Sequence, residues 1–447
     1  MRIAVVGSGI SGLAAAWLLS NRHSITLFEA NDYAGGHTHT VDVSLEGKTC
    51  GVDTGFLVFN EATYANLVPM LQMLRVPVAK SEMSFSLSLD DPDIAWSGTS
   101  LDTLFAQRRN LLRPGFLRML RDILRFNRET AQAAVTAGAT GSLQDFLEHG
   151  RYSIEFRDWY LAPMAAAIWS CPTRTMLTFP FSAFARFFHN HGLLKLTDRP
   201  QWHTVAGGAR QYVDAILAQL RGRGAIVHLN SPVRSARRDE NGVTIESHST
   251  EHFDALVLAC HSDQAMRILG ADVTAAEHAV LGAIPYQRNR ALLHTDATLL
   301  PAKRKLWSAW NYSAGRDTPE GRSVSVHYLI NRLQPLPFTQ PVILSLNPHQ
   351  EPKQETILGE YAYDHPMFIA GSDAAQTRLP SIQGQRNTWF CGAWTRYGFH
   401  EDGLASAIAV AYDFGIEPPW RCGSVVGDSP DEKLAILREA ACRQICL

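Results

Sequence analysis

Six residues near the start of the chain carry the first chemical signal. Gly7-Ser8-Gly9-Ile10-Ser11-Gly12 follows a short β-branched run and fits G-x-G-x-x-G. The first glycine permits a tight turn. The second lets the backbone approach a pyrophosphate, and the third lets a helix pack closely on a strand. That helix then turns its N-terminus, with Ser11 in its first turn, toward phosphate charge. Glu29 closes the next apolar run, 17 residues after Gly12, and Ala30 follows it. A carboxylate there can accept bonds from both hydroxyls of a ribose and disfavours a 2′-phosphate. Gly35-Gly36-His37 adds a second glycine pair at short range. A glycine turn that holds no ligand is the alternative, and the full strand–turn–helix–strand context weighs against it.

The elements that must position these residues are legible as periodicities. Residues 2–6 read as a strand, 11–20 as an Ala- and Leu-rich helix and 24–29 as a second strand, the βαβ unit of a parallel sheet. Residues 82–90 alternate at Met83, Phe85, Leu87 and Leu89, which predicts a half-buried strand. From about 100 to 190 the texture is helical. Strand character returns near 225–229 and 243–246, and 253–259 reads as a buried parallel strand. Residues 290–294 and 323–329 read as strands of a second sheet. Residues 388–393 make a last short strand before a glycine-containing turn and an Ala-rich helix at 403–413.

Composition narrows the function classes. The chain has 447 residues, 46% apolar and 19% charged, which allows a substantial core and excludes wholesale disorder. A net charge of -2 gives no sign of a nucleic-acid partner. The seven cysteines are scattered and form no C-x-x-C pair. That argues against a disulfide scaffold or a metal site and fits a reducing compartment. The apolar stretch after Met1-Arg2 is broken by glycines and reads as strand, turn and helix rather than a leader. No run reaches the roughly 18 uncharged apolar residues of a membrane span, so no transmembrane segment is expected.

Taken with these motifs, the sequence resembles the flavin-containing amine oxidase and phytoene desaturase superfamily over nearly the whole chain. Residues 3–37 resemble its N-terminal fingerprint. The second glycine pair is a flavin-enzyme feature, absent from plain nicotinamide dehydrogenases. Val52-Asp53-Thr54-Gly55 resembles the next cofactor-approaching turn, and Val205-Ala206-Gly207-Gly208 the segment that re-enters the cofactor domain. Residues 254–261 resemble its D-x-V-V-x-A strand. Phe390-Cys391-Gly392-Ala393-Trp394-Thr395, with Gly403, resembles its C-terminal flavin motif. Residues 53–60, 163–170, 189–194 and 397–403 resemble, more narrowly, a bacterial amine-oxidase-like subgroup of predicted FAD-binding proteins. That subgroup commonly accompanies cyclopropane-type fatty-acyl methyltransferases, which implies lipid chemistry by association.

The resemblance implies a non-covalent FAD. Gly7, Gly9 and Gly12 would cradle its pyrophosphate, with Ser11 beside them, and Glu29 and Ala30 would lie at the adenosine ribose. Gly35, Gly36 and His37 would line the phosphates and ribityl chain, with Thr54 and Gly55 in the approaching turn. The backbone around Val233 would meet the adenine. Gly392 and Thr395, with a helix starting near Gly403 and Leu404, would aim N–H groups at the flavin's pyrimidine end, where a helix N-terminus stabilises negative charge.

Three departures from the family pattern bear on activity. Ala393 and Trp394 stand where amine oxidases usually place an acid. Arg288-Asn289-Arg290 offers no lysine where they hold a water near the flavin. Leu404 stands where their amine cage wants an aromatic. The expected activity is therefore desaturase-like: an FAD-dependent oxidoreductase that removes hydride from an apolar, lipid or fatty-acyl substrate. A peroxide-releasing amine oxidase and a non-redox flavin-binding isomerase or structural protein are the alternatives.

The resemblance also puts Tyr397, His400, Glu401 and Asp402 near the flavin. Tyr397 and His400 are the catalytic candidates, and His400 could act as an acid or base near neutral pH. Glu401 and Asp402 could instead cap the final helix, the preferred reading for Asp402. Tyr361, Tyr363 and His365 are further pocket candidates. Phe179, Phe181, Phe184, Phe187 and Phe188 could line an apolar pocket, although such a stripe more often forms core. His189 and His191 flank Asn190 and read as a turn pair with structural hydrogen bonds, in preference to a metal site.

Length alone predicts two or three domains. The resemblance sharpens this to an α/β fold. A Rossmann-like FAD-binding domain (1–80, 198–270 and 380–420) interleaves with an α+β substrate domain of mixed sheet plus helices (81–197 and 271–379). Residues 421–447 form a tail. Residues 104–128 carry seven arginines against Asp122. Arg118, Arg121, Arg125 and Arg128 share one helical face, with Phe116, Leu117, Leu120, Ile123, Leu124 and Asn127 largely on the other. This is either a surface helix packed on the core or one that meets an anionic membrane surface. The expected location is cytoplasmic, peripheral to the inner face of the membrane in the second case.

Overall fold

The computed structural model describes residues 1–135, 141–169, 176–190, 192–195, 199–315, 324–369 and 371–420. His191, Ser170 and the tail at 421–447 lie outside the described residues.

β-Branched and aliphatic runs at Arg2–Val6, Ser24–Phe28 and Ala255–Leu258 are buried on both faces, as strands of a parallel sheet must be. They form the middle of a five-stranded parallel sheet in the order Ile226–His228, Ser24–Phe28, Arg2–Val6, Ala255–Leu258, Thr388–Phe390. One face packs on the helices Ile10–Leu19, Arg210–Gly222 and His400–Asp413. The other packs on a three-stranded antiparallel sheet, Ser235–Asp239, Gly242–Glu246 and Thr250–Phe253, and on the helix Ser262–Leu269.

A second, seven-stranded sheet runs in the order Ile357–Pro366, Tyr286–His294, Ile343–Leu346, Val324–Leu329, Trp310–Ala314, Phe85–Leu89, Ile94–Ser97. Its pairings are antiparallel except that of Trp310–Ala314 with Phe85–Leu89. The helices Pro114–Val135, Ala162–Trp169 and Phe181–Asn190 share a core with it. The α/β class and the interleaving of a Rossmann-like sheet with a mixed sheet plus helices hold as read from the sequence. The strand expected at 82–90 is shorter, and Leu87 and Leu89 are fully buried because helices cover it.

The arginine-rich helix departs from expectation in its facing. Phe116, Met119, Ile123 and Phe126 are its buried side. Leu117 and Leu124 stand outside with Arg121 and Arg128, and Asp122 is fully buried. A spacing of seven residues returns Leu124 to the face of Leu117, and Arg121 and Arg128 lie within the same arc. Asp122 goes inward because its carboxylate accepts the Ser153 N–H at 2.9 Å, at the start of the next helical segment.

The second sheet contains a buried polar chain. His294 Nδ1 accepts from the Asp296 N–H (3.1 Å), and its Nε2 lies 2.6 Å from Ser345 Oγ. Ser345 Oγ lies 2.6 Å from His327 Nδ1, whose Nε2 lies 2.9 Å from Ser313 Oγ. One proton assignment satisfies every atom: His294 donates to Ser345, Ser345 to His327, and His327 to Ser313. Both rings are then neutral. Burial pushes His294 down to about 4 and His327 to about 3.

Unfolding exposes both rings, which regain an ordinary histidine pKa. Between about pH 6.5 and pH 4 the unfolded chain therefore binds more protons, so stability falls as pH falls. These two residues add a slope of about 1.4 kcal/mol per pH unit each. Denaturation across that range checks the sign, and His327→Gln, which keeps a donor and an acceptor without titrating, reduces the slope. Ser345→Ala strands both rings and lowers stability by about 1–3 kcal/mol at neutral pH.

Candidate functional site

The strands of the parallel sheet end at a cleft of about 1560 Å³. Val6, Glu29, Ala259, Cys260 and Gly392 line it just beyond the strand ends. It sits where the strand order reverses about Arg2–Val6, the position at which open parallel sheets leave a crevice.

At one end the glycine fingerprint divides its labour. A Cβ on Gly12 would lie 1.8 Å from Gly7 O, so Gly12 serves helix–strand packing and does not reach the cleft. A Cβ on Gly9 would meet nothing within 4 Å: the space beside it is open cleft. Gly9 is also the N-cap of Ile10–Leu19, and Ile10 and Ser11 line the cleft at that helix N-terminus. Gly7, Gly35, Gly36 and His37 complete this wall. Glu29 Oε2 accepts from Ser8 N–H (2.9 Å) and Ser8 Oγ (2.5 Å), and Oε1 from Asn31 N–H (2.9 Å). A carboxylate takes about four such bonds, so Glu29 keeps acceptor capacity at the cleft. Ala30 and Val233 line the same end. Open space at Gly9, a helix N-terminus and a carboxylate with acceptor capacity to spare fit the diphosphate and ribose of a dinucleotide.

The middle of the cleft is walled by histidines and tyrosines. His37, His261, His365 and His400 all line it. Burial holds His37 and His261 down at about 4, and His365 and His400 at about 3, so the rings are neutral. Three of them are held by neighbours outside this set of four. His261 stacks on Tyr286 at 4.4 Å. His365 Nδ1 accepts from Asn289 Nδ2 at 2.7 Å. His400 stacks on Phe56 at 3.8 Å, with Nε2 2.7 Å from the Tyr212 hydroxyl and 3.0 Å from Thr38 Oγ1. Thr54 Oγ1 lies 2.6 Å from the Tyr363 hydroxyl and donates to His39 O. Thr54 and Gly55 both line the cleft.

The other end is apolar. The run from Ile154–Phe156 through a π-helical segment, Arg157–Leu161, to Ala162–Trp169 presents Tyr160, Met164 and Ile168 along one stripe. Trp96 stacks on Tyr160 at 5.9 Å, and Trp310 meets Tyr328 edge-on at 4.9 Å. Phe187 joins Trp169 (4.5 Å) to Phe399 (4.8 Å) and lies 6.0 Å from Tyr397. Of the phenylalanine stripe, Phe187 alone lines this cleft; Phe179, Phe181, Phe184 and Phe188 are core. Glu82 and Arg332 pair at the rim, at 2.7 and 2.9 Å.

The last helix begins at His400, ahead of the expected start near Gly403. Gly403 faces the first helix: a Cβ there would lie 2.8 Å from Ile10 Cγ2 and Ser11 Oγ. Leu404 is buried in the core on that side of the sheet. Gly392 lines the cleft, but its N–H donates to Ser406 Oγ (2.9 Å), and the Thr395 N–H donates to Gly392 O (3.1 Å). Thr395, Gly12, Gly403 and Leu404 thus support the cleft from behind, and Tyr397 and His400 line it. Asp402 accepts from the Tyr397 and Phe399 N–H groups and so caps its own helix. Glu401 instead caps Leu67–Met73, accepting from Asn66 N–H (2.9 Å), Asn66 Nδ2 (2.7 Å) and Leu67 N–H (3.0 Å). Burial raises Glu401 to about 7 and Asp402 to about 6.

Sequence reasoning passed over Phe56, Tyr212 and Tyr286, which hold the histidine wall. Nothing in their spacing marks them, since each comes from a separate element.

Comparison with known proteins agrees with this architecture. The profile of the family described as flavin containing amine oxidoreductase matches residues 10–293. A probable zeta-carotene desaturase of Synechococcus elongatus is 27% identical over 273 residues, 55% of this chain and 53% of that protein. An L-amino-acid oxidase of Bothrops atrox is 31% identical over 101 residues, 21% of this chain and 17% of that protein. The chain thus spans about half the length, or less, of these relatives. Among solved structures, cyclohexylamine oxidase from Brevibacterium oxydans superposes with a TM-score of 0.66 at 17% identity, covering 93% of this chain and 99% of that one. A CLA-producing fatty acid isomerase from P. acnes gives 0.63 at 15% identity, covering 91% and 96%. At such identities the likeness is one of fold. The glycine cradle, the acid after the second strand and a family match over more than half of its length place one conclusion beyond the fold: this chain belongs to the flavin containing amine oxidoreductase family.

Proposed function

We propose that the protein is an FAD-dependent oxidoreductase that removes hydride from an apolar, lipid or fatty-acyl substrate in a desaturase-like reaction. The observation that carries this reading is the apolar arm of the cleft, which opens directly from the histidine wall. Residues near 1–80, 198–270 and 380–420 would form the cofactor half. Gly7, Gly9, Ser11 and Gly36 would hold the diphosphate, Glu29 and Ala30 the ribose, and Val233 the adenine side. His37, Thr54 and Gly55 would flank the ribityl chain, with Gly392 beside the ring.

When bound, a flavin supplies the hydride acceptor. The chain's own residues bind, orient and dry the substrate. Tyr160, Met164 and Ile168 would hold an extended chain against Trp96 and Trp310. Tyr397, which lines the cleft 6.0 Å from Phe187, would stand beside the substrate chain. His400 acts there as a neutral hydrogen-bonding group, because its burial against Phe56 keeps the ring from titrating near pH 7.

The same surroundings weigh against an amine. At the rim of the arm the Glu82 carboxylate is already engaged by Arg332. The stripe of Tyr160, Met164 and Ile168 holds no carboxylate, and burying an ammonium there unpaired costs several kcal/mol. The desaturase relative points the same way, and the oxidase relatives keep the amine reading as an outcome to be tested.

Cofactor binding is tested by two glycines that differ in what a methyl group meets. Gly9 has φ −62 and ψ 179, open to any residue. Gly9→Ala therefore folds with unchanged or slightly raised Tm, yet weakens FAD by roughly tenfold or more, read from visible absorbance on titration. Gly12→Ala drives its Cβ into Gly7 O and destabilises the fold by about 3 kcal/mol. Equal FAD affinity in wild type and Gly9→Ala would contradict the cradle.

Substrate class is tested by anaerobic bleaching of the yellow protein with fatty-acyl lipids and with amines, alongside lipid mass spectrometry of cells with and without it. Acyl chains are expected to bleach it and to gain a double bond. Met164→Trp fills the arm and should lower kcat/KM for long chains about a hundredfold with the flavin spectrum intact. Peroxide release on amines without any effect on lipids supports the amine oxidase instead. Failure of every substrate to bleach it supports a non-redox role.

A further inference from the structure

Among the described residues, twelve large apolar side chains are exposed, and five of them fall within residues 101–124: Leu101, Leu111, Leu112, Leu117 and Leu124. Leu112 is 86% exposed, Leu101 75% and Leu124 59%. Isolated exposed leucines are ordinary, whereas a cluster on one surface marks an interaction site. A sixth, Ile154, belongs to the same surface, because its neighbour Glu155 pairs with Arg118.

The leucines alternate with arginines. Arg108, Arg109, Arg118 and Arg121 are about half to two-thirds exposed, and Arg128 is exposed between Leu124 and the end of the same face. The acids that pair with this stretch are Asp93, Asp102, Asp122 and Glu155. Lys303, Arg304 and Lys305 are exposed beside it, Lys305 sharing Asp102 at 2.9 Å. The surface is therefore apolar at its tips and carries a clear excess of positive charge, in a chain whose total is -2. Leucine tips among arginines are the chemistry of a bilayer interface: the apolar groups enter the acyl boundary and the guanidinium groups meet phosphate.

Position supplies the second argument. Gly98 and Thr99 are exposed and also line the cleft, and Leu101 follows them two residues later. The helical run that starts at exposed Ile154 continues inward as the Tyr160, Met164 and Ile168 stripe. The cleft mouth and the leucine–arginine surface are thus adjacent.

We propose that the surface formed by residues 98–128 docks on an anionic lipid bilayer and sets the cleft mouth at Gly98–Thr99 against the acyl boundary. Docking is independent of the desaturase reading, and its test reads binding without turnover, so either can fail alone.

The test is co-sedimentation of the full-length, flavin-loaded protein with phosphatidylcholine vesicles, with and without phosphatidylglycerol. Binding is expected only with phosphatidylglycerol, and weaker as salt rises. Leu112→Ser/Leu124→Ser, both at exposed positions, should reduce partition roughly tenfold or more, with visible spectrum and Tm unchanged. Arg121→Gln/Arg128→Gln should reduce it about tenfold on anionic vesicles. Absence of binding, equal binding to neutral vesicles, or leucine variants that bind like wild type overturns the proposal. So does a concentration-dependent dimer, read by analytical ultracentrifugation, that the leucine variants abolish, since a second copy would then be the occupant.

Discussion

Close approach of backbone to backbone at the C-terminal edge of the parallel sheet is the constraint on which the cleft depends. The first helix must begin immediately after Val6 and lie against the strand, which only a glycine at position 12 allows, with Gly7 O 1.8 Å from where a Cβ would stand. The last helix must then lie against the first, and Gly403 removes the side chain that would collide with Ile10 and Ser11. Two helix N-termini, at Gly9 and at Phe399, consequently reach a single cleft, the first at its glycine-lined end and the second at its histidine wall. Each brings a partial positive charge, which suits a dinucleotide at the one and an electron-rich ring at the other.

Buried carboxylates tie the remote parts of the chain to this edge. Asp53 accepts from the Ala209 N–H at 2.9 and 3.0 Å and from Gln334 Nε2 at 2.8 Å, and its own N–H donates to Gln334 Oε1 at 2.9 Å. It so links the hairpin of Thr40–Leu45 and Lys48–Asp53 to the start of Arg210–Gly222 and to the second sheet's connection at Gln334. Glu401 does the same between the last helix and Leu67–Met73. Burial raises both to about 7, against the hydrogen bonds that each accepts and, for Asp53, the nearby Arg210. Such braces fix the cleft walls without placing a strong charge inside it.

The fingerprint, the parallel strands and the final helix were legible in the sequence because local chemistry dictates them: β-branched runs, glycine turns and an Ala-rich amphipathic stretch. The polar half of the cleft was legible for the same reason, with Gly9, Glu29, Gly36 and His37 where the spacing puts them. The strand Ile357–Pro366 was not, since no apolar alternation marks it: it is polar and aromatic, and Ala362, Tyr363, Asp364 and His365 line the cleft in succession. The facing of Pro114–Val135 was not legible either, because an arginine stripe does not exclude leucines from the same outer face. Leucine is not confined to the core, and Asp122 turns inward for the Ser153 N–H. Gly403 carried a family association with the flavin, yet its immediate reason is a helix crossing, which no single-helix pattern reveals. His400 shows the same limit: its place in the sequence suggests a titrating group, and only its packing on Phe56 and Tyr212 makes it neutral.

The neutrality of the histidine wall follows from where it stands. It divides an end lined by backbone N–H groups and Glu29, which suits a hydrated, anionic ligand, from an end lined by indole, phenyl and aliphatic groups. A charged imidazole on that boundary would need solvation, and water drawn to it would enter the apolar arm. Neutral rings, hydrogen-bonded to Tyr212 and Asn289 or stacked on Tyr286, need none. They can still donate or accept a hydrogen bond toward a planar polar ring while leaving the far side dry. In the proposed desaturation a bound flavin would accept the hydride, and the proton lost from the adjacent carbon would pass to an acceptor as weak as a neutral wall imidazole, so orientation and exclusion of water would matter more there than a strong base. The cleft is built in that proportion: many groups that pack and hold, few that carry charge, and none of the latter within the stripe of Tyr160, Met164 and Ile168.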